Sequence, residues 1–164
     1  MRERLEKGLI VATTEVFDGL LSMEAIAGDR TVTTTLGPMG GLTGMIWISG
    51  AISGWICVVC TEALALEMAQ RMLGDASRGD SAELRDVVGE LTNMITGAAK
   101  RQLSPEKSLF DLSVPTVISG AEFTTGSFPP GEFVGNGYAC DGHQFQVLMS
   151  IDERGDTPKT GDRG

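Results

Sequence analysis

Four residues recur at helical spacing in the second half of this 164-residue chain: Asp86, Glu90, Asn93 and Gly97. Because a helix turns about 100° per residue, residues three or four apart share one face, and these four form a narrow line. An ionised carboxylate accepts hydrogen bonds, whereas an amide both donates and accepts, so Glu90 can anchor a basic group and Asn93 can hold a water molecule. The pair contains no nucleophile and too few oxygens for a hard cation, so we expect no metal on this chain.

The opposite side of the same helix is apolar and accounts for its packing. Its members are Leu84, Val87, Val88, Leu91, Met94, Ile95 and Ala98. Two glycines inside the helix, Gly89 and Gly97, each cost about 1 kcal/mol relative to alanine. This cost indicates that something must approach the helix backbone closely, and we assign both glycines to partner docking.

The chemistry that suits a carboxylate and an amide on an exposed helix is hydrolysis of a phosphoryl group carried by another protein. Phosphoryl transfer has a loose transition state, so positioning and charge stabilisation supply most of the catalysis. A water molecule held in line with the phosphorus removes much of the entropic barrier. The polar line therefore predicts a surface site that acts on a phosphoryl group of a partner protein, rather than a substrate pocket within this chain.

The line resembles the signature of the CheC/CheX/FliY phosphatase family. That signature has Asp or Ser, three residues, Glu, two residues, Asn, about 22 residues and then Pro; here 21 residues separate Asn93 from Pro115. The flanking segments 42–50 and 62–74 are also similar to the family. The resemblance runs from about residue 3 to about residue 151 and is closest to the small, single-site CheX members.

The resemblance implies a phosphatase that removes the aspartyl phosphate of a CheY-like response regulator in chemotaxis or a related two-component pathway. It implies that Asn93 orients the attacking water and that Glu90 binds the regulator's active-site lysine. Asp86 then lies on the docking face, and Pro115 supports the shape of the helix. The Mg²⁺ belongs to the regulator, and this chain binds no cofactor. The resemblance also implies a homodimer built by joining sheets. Separately, three cysteines, an odd count, and no visible secretory signal indicate a reducing compartment, so we expect a cytoplasmic protein.

Some members of the family carry a second site on the first helix, where this chain offers Glu15 and Asp18. An ionised aspartate in place of the amide accepts hydrogen bonds but donates none, and it adds negative charge beside a phosphate. We interpret the first helix as structural, which leaves one site per chain.

Two other functional classes compete with the phosphatase. The first is a docking module of the same fold that binds a response regulator or a flagellar switch component without hydrolysis. The second is a metal or redox protein centred on Cys57 and Cys60. Both cysteines lie in an apolar, strand-like segment, where their side chains point to opposite faces. We therefore interpret them as buried hydrophobic residues. The remaining cysteine, Cys140, and the single histidine, His143, are assigned no role.

The charge balance limits the range of partners. With 13 basic and 22 acidic residues the net charge is −9, which argues against nucleic acid or an anionic membrane as the main partner. Residues 31–61 carry no charge, but glycines interrupt them, so we predict a buried pair of strands rather than a membrane span. Such strands need cover on both faces, with helices on one side and a second chain as a candidate for the other.

The hydrophobic periodicity predicts one domain over residues 1–151 with an α/β (α+β) fold, followed by a disordered tail over 152–164. Two long helices and a shorter one are expected to pack on a mixed, mostly antiparallel β-sheet. The helices are predicted over 3–24, from a Thr61 cap to Gly74, and from an Asp80 or Ser81 cap to about Leu103. The strands are predicted over 30–36, 43–50, 53–60, 112–120, 132–140 and 143–151, with a loop at 124–131.

Overall fold

The computed structural model describes residues 1–34, 36, 41–103, 109–120 and 131–152. Its helices are α1 (Arg2–Val16), α2 (Glu62–Leu73) and α3 (Ser81–Leu103). A π-helical turn (Phe17–Leu21) continues α1, and a 3₁₀ turn (Gly74–Ala76) follows α2. Its strands are β1 (Ile26–Thr33), β2 (Gly41–Gly50), β3 (Ser53–Thr61), β4 (Phe110–Leu112), β5 (Thr116–Ser119), β6 (Phe133–Cys140) and β7 (His143–Asp152).

The strands form one sheet in the order β1-β6-β7-β3-β2-β4, and β5 also pairs with β2. Every strand pair that the described residues form is antiparallel. Together with the three helices, this arrangement confirms the predicted α+β fold with a mostly antiparallel sheet. Asp141 and Gly142 form a two-residue hairpin turn between β6 and β7, and both have positive φ angles, 46° and 81°.

The helices lie close to their predicted ranges, because each has an apolar face and the later two begin at a side-chain cap. Thr61 accepts a hydrogen bond from the amide of Leu64 at the start of α2, and Gly74 ends that helix with a φ of 57°. In α1 the apolar period is interrupted only by Thr13. This residue is buried, and its hydroxyl donates to the Leu9 carbonyl at 2.7 Å, so the helix keeps its inner face.

The charge-free segment forms the central hairpin of the sheet, as predicted. Strands β2 and β3 pair along their length, with Met45 opposite Cys57 and Ile46 opposite Ile56. Alternate residues of the hairpin belong to two different buried clusters. The larger cluster lies against the helices and includes Ile46 and Ile56. The smaller one holds Leu36, Met45, Cys57, Val59, Phe133 and Leu148.

The smaller cluster is closed within a single chain, since its members are at most 2% exposed. A second chain is therefore not needed to cover that face of the hairpin, and the predicted homodimer stays a prediction. No helix among the described residues is long and apolar enough to cross a membrane.

Several boundaries differ from the sequence-based expectation. The first helix, with its π-helical turn, ends at Leu21 rather than at residue 24, and β2 begins at Gly41 rather than at residue 43. Strand β1 begins at Ile26, four residues earlier than predicted, and ends at Thr33. The strand predicted over 112–120 is divided into β4 and β5, because Pro115 has no amide to donate to the ladder. The divided strand lies beside β2 at the edge of the described sheet, as expected for a strand containing proline. Most of the predicted loop at 124–131 and the tail beyond Asp152 lie outside the described residues.

Candidate functional site

The start of α3 is fixed by two acidic residues that satisfy free backbone amides. Asp80 is the N-cap, and its Oδ1 accepts from the Glu83 amide at 2.9 Å. The Glu83 carboxylate accepts from the Arg78 amide, from the Gly79 amide at 2.7 Å and from the Ser77 hydroxyl at 2.8 Å. These donors lower the pKa of Glu83 because they stabilise its ionised form. The helix therefore has one defined beginning, which sets the rotation of every residue that follows.

That rotation exposes the polar line and buries the apolar one. Asp86, Glu90 and Asn93 are exposed, and Gly97 is half-buried. Six of the seven predicted apolar positions are buried, and Met94 is partly buried against the core. The predicted exposure of Glu90 and Asn93 is confirmed, and together with Asp86 they form an exposed stripe along α3. Burial of this stripe in the single chain would have excluded docking to another protein.

The depth of α3 on the sheet is set by a glycine beneath a threonine. Thr92 is fully buried, and its hydroxyl donates to the Val88 carbonyl at 2.7 Å. It lies over Gly44 of β2, where no side chain fits between the strand and the helix. The next buried hydroxyl, that of Thr96, donates to the Thr92 carbonyl at 2.8 Å. Because Thr92 lies between Glu90 and Asn93 in sequence, this contact holds the stripe at a fixed height above the sheet.

Pro115 supports the helix from the side, opposite Gly89. A Cβ placed at Gly89 would lie 3.4 Å from Val117 Cγ2 and 3.7 Å from Pro115 Cγ. Gly89 is itself buried. The close approach that this glycine permits is therefore to the chain's own Pro115 and Val117. This packing accounts for the glycine, and Gly89 also lines the groove beside Glu90. The docking roles of Gly89, Asp86 and Gly97 stay predictions.

An open groove of about 440 Å³ runs between the helix and the connection from β4 to β5. It is lined by Arg85, Asp86, Gly89, Glu90, Pro115 and Val117. Neither Asp86 nor Glu90 forms an ion pair with a residue that the structure describes. The groove thus combines an apolar floor with two carboxylates and the Arg85 guanidinium, which donates to Ser119. The floor and the carboxylates can receive the aliphatic stem and cationic head of a lysine side chain.

Two arginines border the stripe, and the sequence pattern did not single out either of them. Arg85 is exposed, and its guanidinium donates to the Ser119 hydroxyl, which joins α3 to β5. Arg101 lies back over Gly97, with its Nη1 at 3.6 Å from the position that a Cβ of residue 97 would occupy. Arg101 is one turn beyond Gly97, so the helical period could have identified it as the C-terminal continuation of the line.

The alternative sites suggested by the sequence are not assembled. Cys57 and Cys60 lie in different buried clusters on opposite faces of the sheet, as predicted from strand geometry. Burial raises the pKa of the Cys60 thiol to about 12 and that of Cys57 further. Within the described ranges, no group of three or more acidic, cysteine and histidine side chains is arranged to hold a metal ion. His143 is the first residue of β7.

The first helix has exposed acidic residues but a different environment. Glu15 and Asp18 are both exposed, and the Glu15 carboxylate accepts from the Gln102 side-chain amide at 3.2 Å. Glu15 is thus tied to α3, whereas Glu90 has no such partner among the described residues. This contact is compatible with a structural role for α1, which stays a prediction.

Comparisons with known proteins point to one family. The family model described as chemotaxis phosphatase CheX matches residues 42–128, which include Asp86, Glu90, Asn93 and Pro115. The CheY-P phosphatase CheX of Thermotoga maritima is 27% identical over 129 residues, covering 78% of this chain and 83% of the relative.

Solved structures agree with this match along most of the chain. Chemotaxis protein CheX from Vibrio vulnificus is 28% identical with a TM-score of 0.78, covering 90% of this chain and 99% of that one. A CheC-like superfamily protein from Shewanella sp. PV-4 is 27% identical with a TM-score of 0.79, covering 93% and 99% of the two chains. The resemblance first noted in the spacing of the polar line therefore extends to the whole fold.

Proposed function

This chain belongs to the chemotaxis phosphatase CheX family, and from that premise we propose that it hydrolyses the aspartyl phosphate of a CheY-like response regulator. The observation that carries the proposal is the exposure of Glu90 and Asn93 on one face of α3, inside the segment that the family model matches. The name of the Thermotoga maritima relative, a phosphatase of phosphorylated CheY, supports the same substrate.

Asn93 has the role of holding the attacking water molecule. Its side-chain amide both donates and accepts, so it can hold a water molecule in a defined orientation beside the phosphorus. The phosphoryl group has a loose transition state, and placing the nucleophile in line removes much of the entropic barrier to hydrolysis. The step transfers the phosphoryl group from the regulator's aspartate to water, which leaves a free carboxylate and inorganic phosphate.

Glu90 has the role of binding the active-site lysine of the regulator. The groove beside Glu90 offers an apolar floor at Pro115 and Val117 and a second carboxylate at Asp86. A lysine that enters it would lay its stem on the floor and bring its ammonium group to the carboxylates. This ion pair would bring Asn93 into register with the phosphoryl group. Asp86 then adds to docking rather than to chemistry.

The divalent ion of the reaction is assigned to the regulator. Hard cations take six or more oxygen ligands, and the stripe of this chain offers only the oxygens of Asp86, Glu90 and Asn93. The Mg²⁺ would neutralise phosphoryl charge on the partner's side of the interface. No cofactor of this chain takes part in the proposed step.

The proposal also includes a cytoplasmic location and a homodimeric state. The three cysteines, Cys57, Cys60 and Cys140, are free thiols, which suits a reducing compartment. Strand β1 (Ile26–Thr33) lies at one end of the described sheet, and most of its residues are exposed. An exposed edge strand can pair with a second copy, which is one way of joining two sheets. Light scattering of the purified protein tests the dimer.

The test of the proposal is the decay of a CheY-type receiver domain from the same genome, phosphorylated with acetyl phosphate and Mg²⁺. Wild-type protein is expected to accelerate the decay. Glu90→Ala, Asn93→Ala and Asn93→Asp are each expected to reduce the acceleration by about a hundredfold or more, since each removes a positioned contact with the reacting groups. Asp18→Ala, which removes an exposed carboxylate from the π-helical turn that continues α1, is the matched control and is expected to stay within twofold of wild type.

A second function is distinguished by the same assay. A docking module of this fold would bind the phosphorylated receiver without accelerating its decay, and Asn93→Ala would then leave binding and decay unchanged. Acceleration that survives both Glu90→Ala and Asn93→Ala would contradict the assignment of the stripe as the catalytic site.

A further inference from the structure

Val114 is the most exposed large apolar side chain among the described residues. It is 82% exposed, whereas the next, Ile26, is 59% exposed. A single exposed valine on a mobile loop needs no explanation. The surroundings of Val114 are different, because the chain holds it on both sides.

The residue before Val114 is tied to the central sheet by its backbone and its side chain. The Ser113 amide donates to the Trp47 carbonyl at 2.9 Å, and the Trp47 amide donates to Ser113 Oγ at 3.0 Å. Ser113 Oγ also donates to the Val114 carbonyl at 2.9 Å. Ser113 thus continues the ladder between β4 and β5 on strand β2, and the backbone at Val114 is fixed.

The residue after Val114 is fixed by the catalytic helix. Pro115 has a restricted φ and packs against Gly89, the residue that precedes Glu90. Pro115 and Glu90 line the same groove. The Ser113–Pro115 turn therefore presents an apolar side chain to solvent, in a set position beside the exposed stripe.

We propose that Val114 is a second docking contact for the phosphorylated receiver domain, packing into an apolar recess of the regulator while Glu90 and Asn93 enter its active site. This inference rests on the function proposed above. The occupant is the receiver rather than a second copy of this chain, because the turn is continuous with the stripe and the groove that the receiver would contact. A side chain held in place before binding loses little entropy when it docks.

The contact acts on binding and not on the chemical step. Val114 carries no group that can reach a reacting atom, so its interaction is equal in the ground state and the transition state. Loss of such uniform binding raises KM and leaves kcat unchanged. Loss of Asn93 has the opposite signature, since it acts on the reacting groups. The split between KM and kcat therefore separates Val114 from the catalytic pair.

The experiment measures steady-state decay of the phosphorylated receiver and, separately, calorimetric binding of the same receiver loaded with beryllofluoride and Mg²⁺. Val114→Ser is expected to raise KM and weaken binding by about tenfold, with kcat within twofold. Val114→Ile keeps an apolar contact and is expected to stay near wild type. Val11→Ser, at a half-exposed valine on α1 (46% exposed), is the matched control and is expected to change neither value.

The outcomes separate this inference from the proposed function. Active wild type together with unchanged KM and binding in Val114→Ser would overturn the docking contact and leave the phosphatase standing. Wild type that binds without hydrolysis, with binding weakened by Val114→Ser, would support the contact and overturn the phosphatase. Neither binding nor acceleration with any CheY-type receiver of the genome would overturn both. A fall in kcat with unchanged KM would also overturn the assignment of Val114 to docking.

Discussion

Gly44 on strand β2 lies so close beneath Thr92 of helix α3 that a Cβ at position 44 would stand 2.1 Å from Thr92 Oγ1. The same Cβ would lie 3.1 Å from Thr92 Cβ and 3.1 Å from Val88 Cγ1. Thr92 is buried and hydrogen-bonded back to its own helix, so it cannot move aside freely. Because Gly44 has no side chain, α3 packs close to β2, and this contact determines the height of the exposed stripe above the sheet.

Gly44→Ala is expected to lower the free energy of unfolding by about 1–3 kcal/mol, because the added methyl group overpacks the interface between β2 and α3. Urea unfolding measures this loss. Gly44→Ala combined with Thr92→Ala is expected to recover part of it, since the nearest atom at 2.1 Å is then removed. Losses that simply add in the double variant would contradict a direct contact.

Gly97→Ala is expected to separate stability from activity. A Cβ at position 97 meets only Arg101 Nη1 at 3.6 Å, an ordinary contact, so the variant should gain up to about 1 kcal/mol of stability from helix propensity. The same methyl group stands on the proposed docking face, and we expect phosphatase kcat/KM to fall about tenfold because the regulator can no longer approach the helix as closely. Unfolding and decay assays on one preparation measure both quantities. A more stable variant with full activity would show that Gly97 has no docking role.

Glu83→Gln is expected to make stability less dependent on pH. The pKa of Glu83 is lowered in the folded chain, so its contribution is complete above the ordinary value of 4.5 and is lost as pH falls through the lowered value. The difference in unfolding free energy between wild type and Glu83→Gln should therefore be largest near pH 7 and shrink below about pH 4.5. Glu24→Gln, at an exposed residue, is the control. A difference that stays constant from pH 7 to pH 3 would exclude this carboxylate as the source.

Cys57 and Cys60 are expected to resist thiol reagents while the chain is folded. Both are buried, and the raised pKa of each thiol keeps the reactive thiolate scarce. A disulfide reagent should label them at the rate of unfolding, and it should label all three thiols at once in urea. Metal analysis of the purified protein should find no stoichiometric zinc. Rapid labelling of folded protein, or one zinc per chain, would favour the metal or redox interpretation.

The exposed residues of α3 could be predicted from sequence because they depend on local geometry. The rotation of a helix is set by its backbone dihedrals, so the spacing of Asp86, Glu90 and Asn93 determined that they share a face. The caps at Asp80 and Thr61 depend on neighbours within three residues. The hairpin at Asp141 and Gly142 likewise depends on the backbone preferences of its own residues.

Other features were decided only by contacts between residues distant in sequence. Gly89 and Gly97 are both interior glycines of α3. Only Gly89, however, faces Pro115 and Val117 of its own chain, more than 20 residues away. Ser113 is held by the amide of Trp47, 66 residues away, and Val114 beside it is left exposed.

The sequence by itself determined which residues form the helix, which of its faces is polar, and where it begins. Only the tertiary structure decided how close the helix lies to the sheet, which glycine faces inward, and which apolar side chain is left in solvent. The physical reason is that hydrophobic period and capping act through dihedral angles and hydrogen bonds of adjacent residues. Packing distance, in contrast, is set by the volumes of side chains such as Thr92 and Pro115 that meet across the fold.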